Sequence, residues 1–134
     1  MSQKIKIGHR TLVDAAKREI ETIPTEEAIK MHGRADVVFI DIRDPRELER
    51  DGKVPGAFHA PRGMLEFWID QDSPYHKPIF NQDKKYIFFC AGAMRSALAA
   101  KLAQDMGLSP VAEMGGGFGA WKKAGGPVEG GEKK

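Results

Sequence analysis

The chain contains little that would mark it as a secreted, nucleic-acid-binding or membrane protein. It has one cysteine, Cys90, so no disulfide can form within it, and this count favours a reducing, cytoplasmic setting. There are 21 Lys and Arg residues against 19 Asp and Glu, which leaves a net charge of only +2. That balance gives no electrostatic reason to expect nucleic acid or an anionic membrane as a partner.

Long apolar runs are also missing. The longest uncharged stretch in the core region runs from Tyr86 to Met94, far short of the roughly 20 residues that a bilayer-spanning helix needs. Residues 1–20 are interrupted by charges and lack the apolar segment of a signal peptide. The 4 histidines are scattered and show no metal-ligand spacing with the one cysteine. We therefore expect a soluble cytoplasmic protein without a metal site.

The apolar residues that are present indicate an α/β fold. Residues 36–42 and 85–90 are β-branched and apolar without alternation, which is typical of strands buried on both faces of a parallel sheet. Shorter strands are predicted at 20–23, 55–61 and 110–114. Helical spacing and helix end signals fill the segments between them. We predict an α/β fold with a central, mainly parallel sheet of about five strands, flanked by helices on both faces.

Several local signals set the boundaries within the 134 residues. Thr25, Asp44 and Gly107 are predicted to cap helices, and Ser96 is a further candidate cap. We expect an N-terminal helical extension over 1–19, one domain over 20–128, and a disordered tail over 129–134. The segment 62–83 is predicted to be mostly loop with one helical turn.

Cys90 comes where a buried strand gives way to a helix. In open α/β sheets, ligands bind beyond the carboxyl ends of the strands. The small residues at 91–93 allow the backbone to curl, so that successive N–H groups at the helix start face one point and bind an anion. Such surroundings favour the nucleophilic thiolate. The alternative is that Cys90 is an inert apolar residue at a strand end.

The order of the motifs along the chain favours the reactive cysteine over the inert one. The chain carries "DIRDPREL" at 41–48, "PGAFHAPRG" at 55–63, a Cys-x4-Arg-Ser loop from Cys90, and "GGGFGAWKKAGGPV" at 115–128. From Ile20 to Val128 the sequence resembles a single-domain rhodanese, a sulfurtransferase. The resemblance implies a persulfide on Cys90, a small anionic sulfur donor such as thiosulfate, and a cyanide or thiol acceptor. It also implies that no metal or organic cofactor is needed.

The resemblance also implies which residues form the site. Cys90 is the expected catalytic nucleophile. The expected substrate-binding residues are Ala91, Gly92, Ala93, Met94 and Arg95, and the expected loop-supporting residues are Asp41, Arg43 and Ser96. Short rhodaneses typically have glycine where this chain has Ala93, so alanine is strained there if the loop needs a positive φ. Arg95 either steers the donor or braces the loop through Asp41 or Glu47, and the second role is favoured.

Two rival functions stay open at this point. A cysteine phosphatase or arsenate reductase uses a similar cradle, but with Cys-x5-Arg, one residue more than the spacing here. A binding module on the same fold needs no catalytic cysteine, whereas this chain retains one. The loop over 62–83, which carries Phe67, Trp68 and Tyr75, either closes the mouth of the site or meets a second subunit, so a homodimer is open as well.

Overall fold

A computed structural model describes residues 2–131, and within them the chain forms five strands and six α-helices. The strands are β1 (Glu21–Ile23), β2 (Val37–Asp41), β3 (Phe58–His59), β4 (Lys85–Phe89) and β5 (Val111–Met114). The helices are α1 (His9–Glu19), α2 (Thr25–Met31), α3 (Pro45–Asp51), α4 (Leu65–Ile69), α5 (Arg95–Met106) and α6 (Gly117–Lys123). None of the described helices is long and apolar enough to cross a membrane.

The strands form one parallel sheet in the order β1-β5-β4-β2-β3. The predicted fold class is therefore confirmed. Because every pair is parallel, the carboxyl ends of all the strands meet at one edge. Strand β4 lies in the middle of the sheet, between β5 and β2, so the residue that follows it is flanked by two other strand ends. That residue is Cys90.

The two faces of the sheet carry separate halves of the core, because successive side chains of a strand point to opposite faces. Phe88 and Cys90 belong to the cluster that includes residues of α1 and α5. Ile87 and Phe89 belong to the cluster that includes residues of α2 and α6. Helices thus cover both faces, and Cys90 points toward the face on which α5 lies.

Two predicted caps are confirmed and two are wrong. The Asp44 side chain accepts a hydrogen bond from the N–H of Arg46, and Gly107 ends α5 in the left-handed conformation. Thr25 lies inside α2, after Pro24, and its hydroxyl donates instead to the carbonyl of Gly115 at 3.0 Å. Ser96 lies inside α5 rather than at its cap, because the helix begins at Arg95.

The terminal segments are more closely joined to the domain than their composition indicates. Val13 and Ala16 on α1 are buried in the same cluster as the sheet and α5. Glu129 pairs with Lys53 through two backbone hydrogen bonds of 2.9 and 3.0 Å, so this first residue of the predicted disordered tail lies against the domain. The rest of that prediction falls largely on residues 132–134, which lie outside the described residues.

The long connection between β3 and β4 contains more regular structure than predicted. The helical turn over 65–69 is present as α4, and short 3₁₀ helices flank it at Arg62–Met64 and Pro78–Phe80. Phe67 and Tyr75 pack edge to face, with ring centroids 6.4 Å apart, and both remain more than half exposed. This leaves an aromatic pair on the surface of the connection.

Candidate active site

Cys90 lies between the end of β4 and the start of α5, and residues Cys90–Arg95 are called the cysteine loop below. The Cys90 Sγ accepts a hydrogen bond from the backbone N–H of Ser96 at 3.4 Å. No side chain caps α5 at this end. The sulfur therefore lies at the positive end of a 12-residue helix, in contact with one of its first N–H groups.

The carbonyl and N–H groups of the cysteine loop have different hydrogen bonding. The carbonyl oxygens of Cys90 and Ala91 accept hydrogen bonds from the N–H groups of Phe118 and Gly119, at 2.8 and 3.0 Å. The N–H groups of residues 91–94, in contrast, donate to no residue within 2–131. These four consecutive donors are available to an anion.

Gly117 makes the close contact between α6 and the loop possible. It has a φ of +64°, and a Cβ on it would lie 2.6 to 2.7 Å from three carbonyl oxygens of the cysteine loop. Any larger residue would therefore displace the loop or the helix. The "GGGFGA" stretch is explained by this packing, and Gly117 is a supporting residue that the sequence analysis did not identify.

Ala93 adopts the conformation that was considered unfavourable for alanine. Its φ is +151°, and it is the only non-glycine residue with a positive φ among residues 2–131. The Ala93 side chain is also nearly buried, with 8% of the residue exposed. The loop thus holds an alanine in a region of φ that residues with a Cβ rarely occupy.

The Cys90 thiol is buried. Cys90 is 1% exposed, and two surface cavities of about 470 and 490 Å³ have no cysteine-loop residue in their walls. Neither of these cavities reaches the thiol, and Sγ is covered in this conformation. Gly92, Met94 and Arg95 are the exposed residues of the loop, so an approaching molecule meets them first.

Arg95 forms a bidentate ion pair with Glu47, with N–O distances of 2.9 and 3.0 Å. Glu47 also accepts the backbone N–H of Asp44, so the same carboxylate holds the start of α3. The pair lowers the pKa of Glu47 and raises that of Arg95, mainly through these hydrogen bonds. Of the two predicted partners, Arg95 therefore pairs with Glu47 and not with Asp41.

Asp41 instead pairs with Arg43 beneath the loop. The Arg43 guanidinium donates to both Asp41 oxygens and to the carbonyl of Gly52 at 2.9 Å, and both side chains are buried. The guanidinium also stacks on the Phe118 ring, 4.2 Å from its centroid. The His59 Nε2–H donates to the Arg43 carbonyl, 2.7 Å away. This buried pair joins β2, the end of α3 and the start of α6.

Ser96 joins the sulfur to a buried carboxyl group. Its hydroxyl lies 3.6 Å from Cys90 Sγ and donates to Glu113 Oε1 at 2.9 Å. Glu113 is fully buried on β5, and burial is the main cause of its raised pKa. The sequence analysis missed Glu113, although a glutamate inside the apolar strand "VAEM" was a usable signal.

Metal-ligating side chains are not grouped in the described part of the chain. No set of three or more His, Cys, Asp and Glu side chains within residues 2–131 is placed to hold an ion. The polar groups in contact with Cys90 Sγ include the Ser96 N–H and hydroxyl, and the Arg95 guanidinium lies near it.

Comparison with known proteins identifies the family to which the chain belongs. The family described as "Rhodanese-like domain" matches residues 24–124. The chain belongs to the rhodanese-like family. "Putative sulfurtransferase YtwF" of Bacillus subtilis is 30% identical over 105 residues, which are 78% of this chain and 90% of that protein. "Thiosulfate sulfurtransferase GlpE" of Pseudoalteromonas translucida is 28% identical over 102 residues, which are 76% of this rhodanese-like chain and 89% of that protein.

A solved structure is more similar still. A protein of unknown function from Rhodopseudomonas palustris is 62% identical to this rhodanese-like chain, with a TM-score of 0.94 over 96% of this chain and 99% of that one. It is described as a possible tyrosine phosphatase. The resemblance to the rhodanese family is thus confirmed, and the names of these relatives point to two different reactions.

Proposed function

We propose that this rhodanese-like protein is a sulfurtransferase that carries sulfur as a persulfide on Cys90. One observation carries the proposal: the N–H groups of residues 91–94 are unpaired within the described chain, and that of Ser96 donates to Sγ. Donors in this arrangement stabilise negative charge on the sulfur and on an anion beside it. The sulfurtransferase names of two relatives support the same reaction.

The proposed reaction has two half-steps. The Cys90 thiolate attacks the outer sulfur of thiosulfate, the bond between the two donor sulfurs breaks, and sulfite leaves with the bonding electrons. The outer sulfur remains on Cys90 as an anionic persulfide. Cyanide or a thiolate then attacks that sulfur, and Cys90 leaves as the thiolate. Neither half-step requires a cofactor to accept electrons.

The loop residues have distinct proposed roles in this cycle. The backbone N–H groups of residues 91–94 bind the anionic donor and then the terminal persulfide sulfur. Arg95 braces the loop through Glu47, and its exposed edge also faces an approaching anion. Because Cys90 is covered, the donor must pass Gly92 and Met94, which favours a small donor over a bulky one.

Three further residues are proposed to support the loop rather than to bind substrate. Asp41 and Arg43 form the buried pair that holds Phe118, whose N–H binds the Cys90 carbonyl. Ser96 contacts the sulfur directly through its N–H. The cytoplasmic location and the homodimer stay predictions, and the exposed Phe67–Tyr75 pair is the surface on which we expect a second subunit.

A phosphatase is the second candidate, because the 62% identical structure is described as a possible tyrosine phosphatase. The loop argues against it. Cys90 and Arg95 are separated by four residues, whereas cysteine phosphatases use five to form a wider ring for a tetrahedral oxyanion. A non-catalytic binding module is the third candidate, and it predicts that Cys90 can be replaced without consequence.

Mass spectrometry separates the candidates. Incubation of the protein with thiosulfate is expected to add one sulfur atom, and cyanide is expected to remove it with release of thiocyanate. The Cys90→Ser variant serves as control and is expected to do neither. Hydrolysis of p-nitrophenyl phosphate that depends on Cys90, without any persulfide, would instead support the phosphatase. Persulfide formation in Cys90→Ser would refute the proposed mechanism.

A further inference from the structure

Glu113 is a buried acid with no role in the reaction as described so far. It pairs with Phe88 in the register between β4 and β5, and it is 0% exposed. An ionised carboxylate is costly at such a position unless it is hydrogen-bonded or paired. Its side chain lies on the α5 face of the sheet, the face to which Cys90 also points.

The contacts of Glu113 divide between its two oxygens. Oε1 accepts the hydroxyl of Ser96 at 2.9 Å. Oε2 accepts the hydroxyl of Thr22 at 3.2 Å and lies 3.8 Å from the ammonium of Lys17 on α1. Only the contact at Oε1 leads toward the cysteine, because the Ser96 hydroxyl lies 3.6 Å from Cys90 Sγ.

The hydrogen bonds along this route run in one direction. The Cys90 S–H donates to Ser96 Oγ, and the Ser96 O–H donates to Glu113 Oε1. Each donor therefore has the next acceptor within hydrogen-bond distance. If both protons move by one position, every hydrogen bond reverses and the three side chains need not rearrange.

We propose that Cys90 and Glu113 share one proton through the hydroxyl of Ser96. The S–H bond of Cys90 breaks as a new O–H bond forms on Ser96 Oγ, and the original Ser96 O–H bond breaks as an O–H bond forms on Glu113 Oε1. The cysteine becomes a thiolate and Glu113 becomes a neutral acid. The combined charge of Cys90 and Glu113 stays at −1, and no proton is released to solvent.

The surroundings of Glu113 and of Cys90 both favour this proton transfer. In water the pKa of a glutamate is about four units lower than that of a cysteine thiol, so the proton prefers the thiol. Burial raises the pKa of Glu113 and so narrows that difference. At the other end, the Ser96 N–H, the start of α5 and the nearby Arg95 guanidinium all stabilise negative charge on Sγ.

The charged neighbours of the pair are few. Among residues 2–131, Lys17 on α1 is the charged side chain in contact with Glu113, and β1 and α5 contribute only the hydroxyls of Thr22 and Ser96. Arg95 is the charged side chain beside Cys90, and Glu47 largely neutralises it. Ser96 and Glu113 act through Cys90 in this proposal and are positioning residues. The proposal rests on the proposed function and does not change its substrate.

The ultraviolet absorbance of the thiolate, followed against pH, tests the proposal. Cys90 is the only cysteine, so Cys90→Ser provides the baseline. We expect two steps in the wild type, separated by more than about one pH unit, because coupled groups titrate as a pair. Glu113→Gln keeps the shape of the side chain but cannot take the proton, and a single step is expected.

Two further variants locate the route. Ser96→Ala removes the bridge and is expected to lose most of the lower step. Thr22→Val is the matched control, because it removes a hydrogen bond to Glu113 Oε2 and leaves the route through Oε1 intact. It is expected to retain both steps. Superimposable wild-type and Glu113→Gln profiles would overturn the proposal, as would loss of the lower step in Thr22→Val alone.

Lys17→Met keeps the proposal testable if Glu113→Gln does not fold, since Lys17 is partly exposed. Removing the cation disfavours the Glu113 carboxylate, so the proton stays on Glu113 and the lower thiolate step is expected to grow. A direct electrostatic effect of Lys17 on the sulfur predicts the opposite sign, and a smaller lower step would overturn the proposal.

The two proposals fail separately. Absorbance reports the thiolate without sulfur transfer, and mass spectrometry reports the persulfide without titration. Two coupled steps without persulfide formation would refute sulfur transfer alone. Persulfide formation with superimposable titration profiles would refute proton sharing alone.

Discussion

Ala93 gives a quantitative test of how the cysteine loop is built. Its φ of +151° lies in a sparsely populated region, which costs of the order of 1–3 kcal/mol for a residue with a Cβ. Ala93→Gly removes that cost. The same substitution lowers stability by about 0.4–1 kcal/mol, because glycine gives the unfolded chain more conformational freedom. It lowers stability by a further amount of about 0.8 kcal/mol through the lost methyl burial, since Ala93 is nearly buried.

The gain and the losses partly cancel, so we expect the free energy of unfolding of Ala93→Gly to lie between about 1 kcal/mol below and about 2 kcal/mol above that of the wild type. Ala97→Gly is the matched control. Ala97 is fully buried and helical in α5, so its replacement loses about 1 kcal/mol of helix propensity and about 0.8 kcal/mol of methyl burial. The control is thus expected to be destabilised by about 2 kcal/mol.

Urea denaturation of the three proteins measures both values, because a single domain of this size is expected to unfold in one transition. Equal destabilisation of Ala93→Gly and Ala97→Gly would refute the strain at Ala93. Thiosulfate turnover of Ala93→Gly is expected not to fall. A clear drop in turnover at unchanged stability would mean that the loop is built around alanine for a different donor.

Three further substitutions test the support of the site. Gly117→Ala is expected to be at least about 2 kcal/mol less stable than Gly107→Ala and to lose turnover, because both glycines have positive φ but only the Cβ at 117 meets loop carbonyls. Equal stability of these variants in urea would contradict this packing. Glu47→Gln is expected to lose about 0.5–1 kcal/mol at neutral pH, because it weakens the pair with Arg95. Since the pKa of Glu47 is lowered, this difference should vanish as the pH falls through its folded value, and a difference that persists in acid would refute the ion pair as its cause. For Glu113, whose pKa is raised, wild-type stability should fall by up to about 1.4 kcal/mol per pH unit as the pH rises from the ordinary glutamate value to the folded one. Glu113→Gln should lack that slope in denaturation curves across mildly acidic pH, and a slope shared by both proteins would assign it to another group.

The strands were predictable because their signal is local. The apolar runs over 36–42 and 85–90 are long enough to identify β2 and β4, and parallel packing follows from the helices between strands. The caps show the limit of this reasoning. The Asp44 side chain accepts a hydrogen bond from the N–H of Arg46 in the helix that it caps. The hydroxyl of Thr25 instead donates to the carbonyl of Gly115, 90 residues away. A local pattern does not contain that contact.

The site divides in the same way. Its centre was predictable, because Cys90 and the small residues after it are adjacent in sequence. Its supports were not, because Glu47 and Arg95 are 48 residues apart and Ser96 and Glu113 are 17 apart. Their meeting depends on the order of strands in the sheet. Glu113 still left one local trace, a carboxylate in a strand with no exposed face.

The burial of Cys90 is the finding that most changes the interpretation of the sequence. A thiol at 1% exposure in an apolar cluster fits the inert alternative as far as exposure alone is concerned. Its polar contacts separate the two cases. An inert cysteine needs only a packed apolar environment. This sulfur instead accepts the N–H of Ser96 and contacts the Ser96 hydroxyl, which donates to the buried Glu113. The alanine at positive φ is a further cost that packing alone does not explain, and the N–H groups of residues 91–94 have no partner among residues 2–131. Costs that accumulate at one loop are typical of a site that binds an anion, and the closed loop then determines how small that anion must be.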